Sequence, residues 1–205
     1  MRASRRKPSK LTRKVYNRPT LECAPECIGK YFVSKLHGMT MSARIVEVEA
    51  YIGEYDPACH AAPGPTPRNK TLYGVPGLTY VYLIYGIYYC LNFVTEAKDC
   101  PAAVLIRAGE PVEGFEPIQN VGYSKSPVDR RLSGPGKLCR EFGLSTAHTG
   151  IDLTGDVLYV EDRHEPAPII VASPRIGITK ATDRLWRFHD ANSQAVSGKS
   201  LKAQS

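Results

Sequence analysis

The stretch "RIVEVEAYIG", residues 44–53, decides how the rest of the chain is read. Apolar and polar residues alternate along it, which is the period of a β-strand. Side chains on a strand point to opposite faces in turn, so Glu47, Glu49 and Tyr51 share one face while Val46, Val48 and Ala50 share the other. Taken alone, the alternation describes a half-buried strand with one solvated side. "HG" at 37–38 supplies a hairpin turn into it, and the strand is expected over 42–52. His60 follows after a turn, near enough in sequence to join two acids and a tyrosine in one constellation.

Outward from that strand, "RPTLECAPECIGKYFV" predicts a short helix followed by a strand. Thr20 is the expected N-cap, Leu21, Ala24, Ile28 and Tyr31 recur at helical spacing, and Pro25 suits only a first turn. Proline and glycine dominate 57–77, which reads as a long surface loop of the kind that carries function or lacks order. A strand pair is expected at 78–84 and 88–94 around Tyr85 and Gly86, then a central strand at 102–108, "AAVLIRA". The segment 111–135 is polar and rich in turn residues. "GPGKLCREFG" predicts a helix with Pro135 near its start and Gly143 at its end. "DVLYVED" and "APIIVASPRIGI" give two more strands, and the tail from about 190 has no periodicity. The tally predicts one α+β domain with a mixed or antiparallel sheet, short surrounding helices and a protruding hairpin. Its expected limits are residues 18–190, between a flexible basic arm (1–17) and a flexible tail (191–205).

Composition narrows the function classes. At 205 residues and 42% hydrophobic, the chain can fill one core and not comfortably two. The longest apolar run, "YVYLIYGIYYCLNFV", is broken by Gly86 and falls short of the roughly 20 residues of a membrane helix. Six cysteines without a C-x-x-C pair, and no signal peptide, predict reduced thiols and an intracellular location. The net charge is +7, but residues 1–18 hold eight of the 27 basic side chains and no acid, leaving 19 bases against 20 acids elsewhere. The basicity therefore belongs to an arm, which could be a solvated tail, an organelle-targeting peptide or a salt-sensitive contact to nucleic acid. The five histidines are scattered without ligand spacing, so no metal and no cofactor is expected.

Tyr80, Tyr82, Tyr85, Tyr88 and Tyr89 crowd one hairpin. β-propensity alone explains aromatics on a pleated surface. An aromatic at a hairpin tip, as Tyr85 is expected to be, has little to pack on in its own domain and is a candidate wedge for a base stack. Flat rings near a carboxylate suit a planar, electron-poor ligand such as a damaged nucleobase. That carboxylate could activate a water for attack at an anomeric carbon, the general-base role in inverting glycoside hydrolysis. Arg107, ending an apolar strand, needs a partner, whether in a structural ion pair or in a site. His60 and Asn92 read equally as a loop histidine and as a strand-end residue bonding to backbone. These residues permit a glycosylase without singling one out.

The motifs "RPTLE", "RIVEVEAYIG", the histidine of "ACHA", "TPRN", "YVYLIYGIYYCLN", "VLIRAGEP" with "EG" soon after, "SGPGKLC", and "PRIGI" before "RFH" occur in that order. Together, over roughly residues 18–200, they resemble the alkyladenine (3-methyladenine) DNA glycosylase family, which removes alkylated and deaminated purines from duplex DNA. The resemblance implies that Glu49 is the general base, with Arg107 and the backbone carbonyl of Ile176 holding the attacking water. It places Tyr51 and His60 on one side of a flipped base and Tyr82 on the other, with Tyr85 entering the minor groove. Asn92 would crowd the exocyclic amino group of normal guanine. Arg68, Lys137 and Arg175 are candidate DNA contacts, as are Arg130 and Arg131.

The implied activity is monofunctional. Water cleaves the N-glycosidic bond of 3-methyladenine, 7-methylguanine, hypoxanthine or ethenoadenine, leaving an abasic site and no strand break. The expected partner is double-stranded DNA bound by a monomer, with no membrane. The compartment would be the cytoplasm or nucleoid of a bacterium, or the nucleus or an organelle of a eukaryote. No general acid for neutral bases is evident. "NVGYSKSPVDRR" departs from the more basic, more helical stretch common in the family, which shifts expected DNA affinity toward the arm. "GPGK" at 134–137 is too short for a Walker loop. Two other classes stay open: a binding protein that has lost catalysis, and a structural or RNA-binding protein with a basic arm.

Overall fold

The computed structural model describes residues 6–115 and 130–198. Among them are nine strands: β1 (Ser9–Lys10), β2 (Tyr31–Ser34), β3 (Met41–Ile52), β4 (Thr79–Ile84), β5 (Tyr88–Val94), β6 (Ala102–Glu113), β7 (Leu158–Asp162), β8 (Ile170–Ser173) and β9 (Arg187–Asp190). The helices are short: α1 (Arg13–Tyr16), α2 (Thr20–Cys27) and α3 (Pro135–Glu141). The sheet runs β1-β7-β2-β3-β6-β5-β4, with β9 also joining β3 and β8 outside β9. Every pairing is antiparallel, so the fold is α+β with an antiparallel sheet.

The strand that carries Glu47 and Glu49, β3, is the trunk of this sheet. β6 lines one edge of β3 along its length, while the other edge is divided between β2, paired from Met41 to Arg44, and β9, paired from Glu47 to Glu49. Simple alternation fails at its centre, where two of the three register shifts of the β3–β6 ladder lie. Val46 is an extra residue between the pairs Ile45–Gly109 and Glu47–Ala108, and Arg107 is extra in β6 between Glu47–Ala108 and Val48–Ile106. A bulge inserts an unpaired residue and re-aims its neighbours. Ile45, Val48 and Ala50 therefore enter the main core, whereas Val46 packs on the opposite face with Ala108, Ala195 and Val196. The expected common face of Val46, Val48 and Ala50 is corrected accordingly. Nor is either side wet, since Glu47 and Glu49 are both fully buried.

The main core lies between one face of the sheet and the helices. Phe32, Phe93 and Phe142 meet there, with Tyr16 edge-on to Phe93. Burying such a ring contributes about 1.5–3 kcal/mol. A smaller cluster on the opposite face unites Cys59, Ala61, Leu72, Tyr80, Val94 and Ala103, so the 57–77 segment is a packed irregular lobe more than a surface loop. All six cysteines are free thiols, five of them buried. No helix among the described residues is long and apolar enough to cross a membrane.

Both predicted chain ends are shorter than the sequence suggested. From Ser9 onward the basic segment pairs with β7, inserts Tyr16 into the core and neutralises Lys10 on Asp156 and Arg13 on Asp152. At the other end Ala195 and Val196 are buried and Ser197 nearly so, because small residues without periodicity can still plug a sheet face. The helix α2 also differs in detail. Its cap position is Pro19, and Thr20 bonds instead to Thr95 and Glu96. Leu21 is exposed while Cys23, Ala24 and Cys27 face inward, and Pro25 sits in the last turn.

Candidate active site

Cross-strand pairing puts one row of side chains on the face opposite the main core. Tyr80 of β4 pairs with Asn92 of β5, Asn92 with Leu105 of β6, Leu105 with Glu49 of β3, and Glu49 with Arg187 of β9. Directly paired residues project to the same side. The period-2 pattern of five separate strands thus converges on a single surface. Above part of that row lies a cavity of about 460 Å³, floored by Cys90, Asn92, Ala103 and Leu105 and walled by the 58–60 turn, the β4–β5 hairpin, residues 133–137 and residues 176–178.

Glu49 sits immediately behind this cavity, touching three of the groups that line it. Its Oε1 accepts from the Ile176 N–H at 2.7 Å. Its Oε2 accepts from the Tyr51 hydroxyl at 2.8 Å and lies 3.2 Å from Nη1 of Arg107. Burial pushes the Glu49 carboxyl above its ordinary range, opposed by the Arg107 charge, the Ile176 N–H and the Tyr51 hydroxyl. Burial likewise raises Tyr51, reinforced by the Glu49 charge, so Tyr51 remains a hydrogen-bond donor. For Arg107, burial works against the charge, and the Glu49 and Glu47 carboxylates outweigh it, leaving the guanidinium more basic than usual.

Glu47, two residues away, serves a different network. Its Oε1 receives Nε of Arg107 at 2.9 Å, Nε of Arg187 at 2.7 Å and the Ser197 hydroxyl at 2.9 Å, and its Oε2 receives the Ser197 N–H at 2.5 Å. Two glutamates and two arginines make a buried cluster of no net charge, the condition under which ions survive away from water. Arg175 forms the second buried pair. It donates to both oxygens of Asp56 at 2.5 and 2.8 Å and to the Ala50 carbonyl, and it lies over the rings of Tyr51 and Trp186. At 5% exposure, Arg175 braces the Ile176 loop and does not stand on the surface as the expected DNA contact.

The other expected residues line the cavity in a partly different arrangement. His60 meets Tyr82 edge to face with ring centroids 4.3 Å apart, and its Nδ1 lies 3.0 Å from the Tyr80 hydroxyl. Two rings sandwiching a base need roughly 7 Å between them, twice a carbon contact. His60 and Tyr82 therefore share one wall and do not face each other across a gap. Burial, then the Arg68 charge, lowers the His60 pKa, which favours a neutral imidazole. Burial pushes the Tyr80 hydroxyl up to about 12. Asn92 is buried in the floor with its amide donating to the carbonyls of Tyr80 and Cys90.

At the hairpin tip, Tyr85 and Gly86 both have positive φ, 52° and 71°, and Ile87 N–H returns to the Ile84 carbonyl, the pattern of a type I′ turn. Tyr85 is 77% exposed there, beside the equally bare Ile87. Arg68 is on the surface, bonded to the Leu83 carbonyl and 5.8 Å from the Tyr82 ring centroid. Lys137 is exposed on the rim of the cavity.

Sequence reasoning missed Asp56, Arg187 and Ser197, and gave Glu47 no task. Glu47 had a signal, because it shared the face of Glu49 and a second buried acid must find cations. Arg187 lay in the quoted "RFH" motif without a strand assigned to it. Nothing in "SQAVSGKS" marks Ser197.

The methylpurine-DNA glycosylase family model matches residues 14–194. Proteins of Methanocella arvoryzae, Chlorobium phaeobacteroides and Alkaliphilus oremlandii, each named "Putative 3-methyladenine DNA glycosylase", are 50%, 45% and 44% identical to this chain. Those alignments cover 91%, 93% and 93% of this chain and 95%, 96% and 100% of the relatives. A match across nearly the whole domain, with the acid, arginine and tyrosines assembled as described, means that the chain belongs to the methylpurine-DNA glycosylase family.

Proposed function

We propose that the protein is a monofunctional DNA glycosylase of base-excision repair, which extrudes alkylated or deaminated purines from duplex DNA and hydrolyses their N-glycosidic bond with Glu49 as general base. The observation that carries this reading is a fully buried glutamate behind an aromatic cavity, next to an arginine and the Ile176 backbone carbonyl that the arginine reaches. A carboxylate whose pKa is raised by burial is a stronger base than one in water, and it can take a proton while Arg107 and the Ile176 carbonyl orient the water. The proton passes to Glu49 as the water oxygen bonds to the sugar C1′ and the base leaves with the bonding pair. An abasic site remains, and the strand stays whole because Glu49 activates a water and, among the described residues, no lysine adjoins it to act as the nucleophile.

The extruded base would rest against the His60–Tyr82 wall with Tyr51 beside it, and Tyr85 would fill the gap left in the stack. Extrusion costs a few kcal/mol and least at weakened pairs, which favours lesions over normal purines. The substrate range proposed is 3-methyladenine, 7-methylguanine, hypoxanthine and ethenoadenine. DNA would be gripped by a monomer through Arg68, Lys137 and the residues preceding Ser9, inside a cell. The test incubates duplexes carrying one hypoxanthine, ethenoadenine or 3-methyladenine analogue with wild-type protein and with Glu49→Gln. Base release by the wild type alone, with strand breaks only after alkali, is expected. Binding without release by either protein would replace catalysis with a binding role.

A further inference from the structure

We infer that Ser197, in the C-terminal strap, is a positioning residue that aims the Arg107 guanidinium at Glu49. This inference rests on the catalytic reading of Glu49 and adds a residue to that site.

Arg107 occupies a bulge of β6, where the ladder does not fix its direction. Its five N–H donors are shared among four partners. Nε reaches Glu47 and, at 3.3 Å, the Ser197 hydroxyl; Nη2 reaches the same hydroxyl at 3.1 Å; Nη1 is left for Glu49 at 3.2 Å and the Ile176 carbonyl at 3.5 Å. The hydroxyl oxygen of Ser197 thus holds the edge of the guanidinium away from Glu49, while its own proton goes to Glu47.

The strap is itself fixed. Ser197 N–H is tied to Glu47 and its carbonyl receives Nη2 of Arg187 at 3.1 Å. One residue earlier, the Val196 carbonyl accepts from Ser133 and Arg130, and Ala195 and Val196 are sealed against Val46 and Ala108. One residue later, Gly198 has a φ of 72°, and a Cβ there would come within 3.1 Å of the Ile176 side chain. The strap therefore reaches two of the three components that touch Glu49, namely Arg107 and the Ile176 loop.

Without the Ser197 oxygen, Nη2 loses its acceptor. The guanidinium can then turn to grip Glu47 through both Nε and Nη2, the fork geometry that carboxylates favour. That rotation draws Nη1 off Glu49. The groups facing Glu49 are Glu47 and Tyr51 on β3, Arg107 on β6, Cys90 on β5, and Arg175 and the Ile176 N–H on the 174–178 loop, with Arg187 on β9 acting through Glu47. Arg107 is the largest of the influences that keep Glu49 acidic, so its departure leaves burial less opposed.

The test compares wild type, Ser197→Ala and Ser197→Thr by two readouts. The first is the titration of the Glu49 side-chain carboxyl carbon by NMR, assigned with Glu49→Gln; the second is single-turnover base release against pH. In Ser197→Ala the Glu49 titration and the acid limb of the rate should both move to higher pH. The maximal rate should fall on the order of tenfold or more, as for other small misplacements of a reacting group, with lesion-duplex affinity unchanged. Ser197→Thr, which keeps the oxygen, should restore both curves. Glu49 titrating alike in wild type and Ser197→Ala would overturn the inference, since a merely structural serine would alter the folded fraction and not that titration. Should Ser197→Ala not fold, Ser197→Cys, with a weaker acceptor, decides by the same titration. The NMR readout does not depend on turnover, so a wild type that releases no base would defeat the catalytic reading while Ser197 is still tested.

Discussion

Glu47 and Glu49 stand two residues apart on one strand, both fully buried, and they have been given opposite tasks by their partners. Glu47 is met by two arginines and both polar groups of Ser197, so its charge is matched and its lone pairs are used within the protein. Glu49 shares one of those arginines at longer range and otherwise receives a tyrosine hydroxyl and a backbone N–H, while the groups around it line a cavity. Burial alone makes neither acid a base. What separates them is how completely the charge is compensated and whether a reacting water can come near.

Two substitutions separate these tasks most sharply. Glu49→Gln should lower base release by about 10²–10⁴-fold, the usual worth of a general base, with a thermal midpoint equal to or above the wild type. Glu47→Gln should instead cost stability. It leaves Arg187 without its carboxylate partner and Arg107 with only the longer contact to Glu49, a loss of about 3–5 kcal/mol when a buried pair is broken. Chemical denaturation of both variants checks the contrast. If Glu49→Gln proved the less stable, the roles assigned to the two acids would have to be exchanged.

Removing residues 191–205 probes the same cluster from outside. Folding free energy should fall by at least the roughly 1.5–3 kcal/mol of burying Val196, and the Glu47 network should open because Ser197 goes with it. A truncated protein as stable and active as the full chain would return the segment to the flexible tail its sequence suggested. At the hairpin tip the expectation reverses. Tyr85→Ala should leave stability within about 0.5 kcal/mol, as for exposed positions generally, while weakening capture of the lesion. Gel-shift and base-release measurements on one hypoxanthine duplex would reveal that split, and unchanged capture would remove Tyr85 from the DNA interface.

The site was legible where local chemistry and strand period agree. Glu49 and Tyr51 could be set on one face because a β-strand sends alternate residues to the same side, and the hairpin tip at Tyr85 followed from a tyrosine-glycine turn, whereas Tyr82 and Asn92 entered the site through the family resemblance. Two kinds of feature escaped. Bulges at Val46 and Arg107 are invisible to a periodic reading, since an inserted residue changes the phase without changing the composition. Partners brought in by tertiary contact were equally hidden. Ser197 touches Glu47 across 150 positions of chain, and Asp56 holds Arg175 across 119. A serine in a small-residue tail offers no local signal that it will close a charge network. The basic arm misled for a related reason: an acid-free basic run reads as a flexible arm, whereas Lys10 and Arg13 find Asp156 and Asp152, acids distant in sequence.

The smallest effect expected is in stability against pH, and it distinguishes the two acids without any substrate. Burial raises Glu49 above its reference value of 4.5 in the folded protein, so over a window of pH the fold retains a proton that the unfolded chain has released. Below the unfolded pKa both states hold that proton. As pH rises toward the folded pKa, stability is lost, because the unfolded state binds fewer protons, and the loss persists above it. The Glu49→Gln variant has no such group. Its stability relative to the wild type should therefore grow with pH across that window and then level off. Denaturation curves for the pair from about pH 4 to pH 8 would trace this difference. Parallel curves would mean that Arg107, Tyr51 and the Ile176 N–H compensate the buried charge in full. Glu49 would then be as well matched as Glu47, and its capacity to accept a proton would have to come from rearrangement when DNA binds.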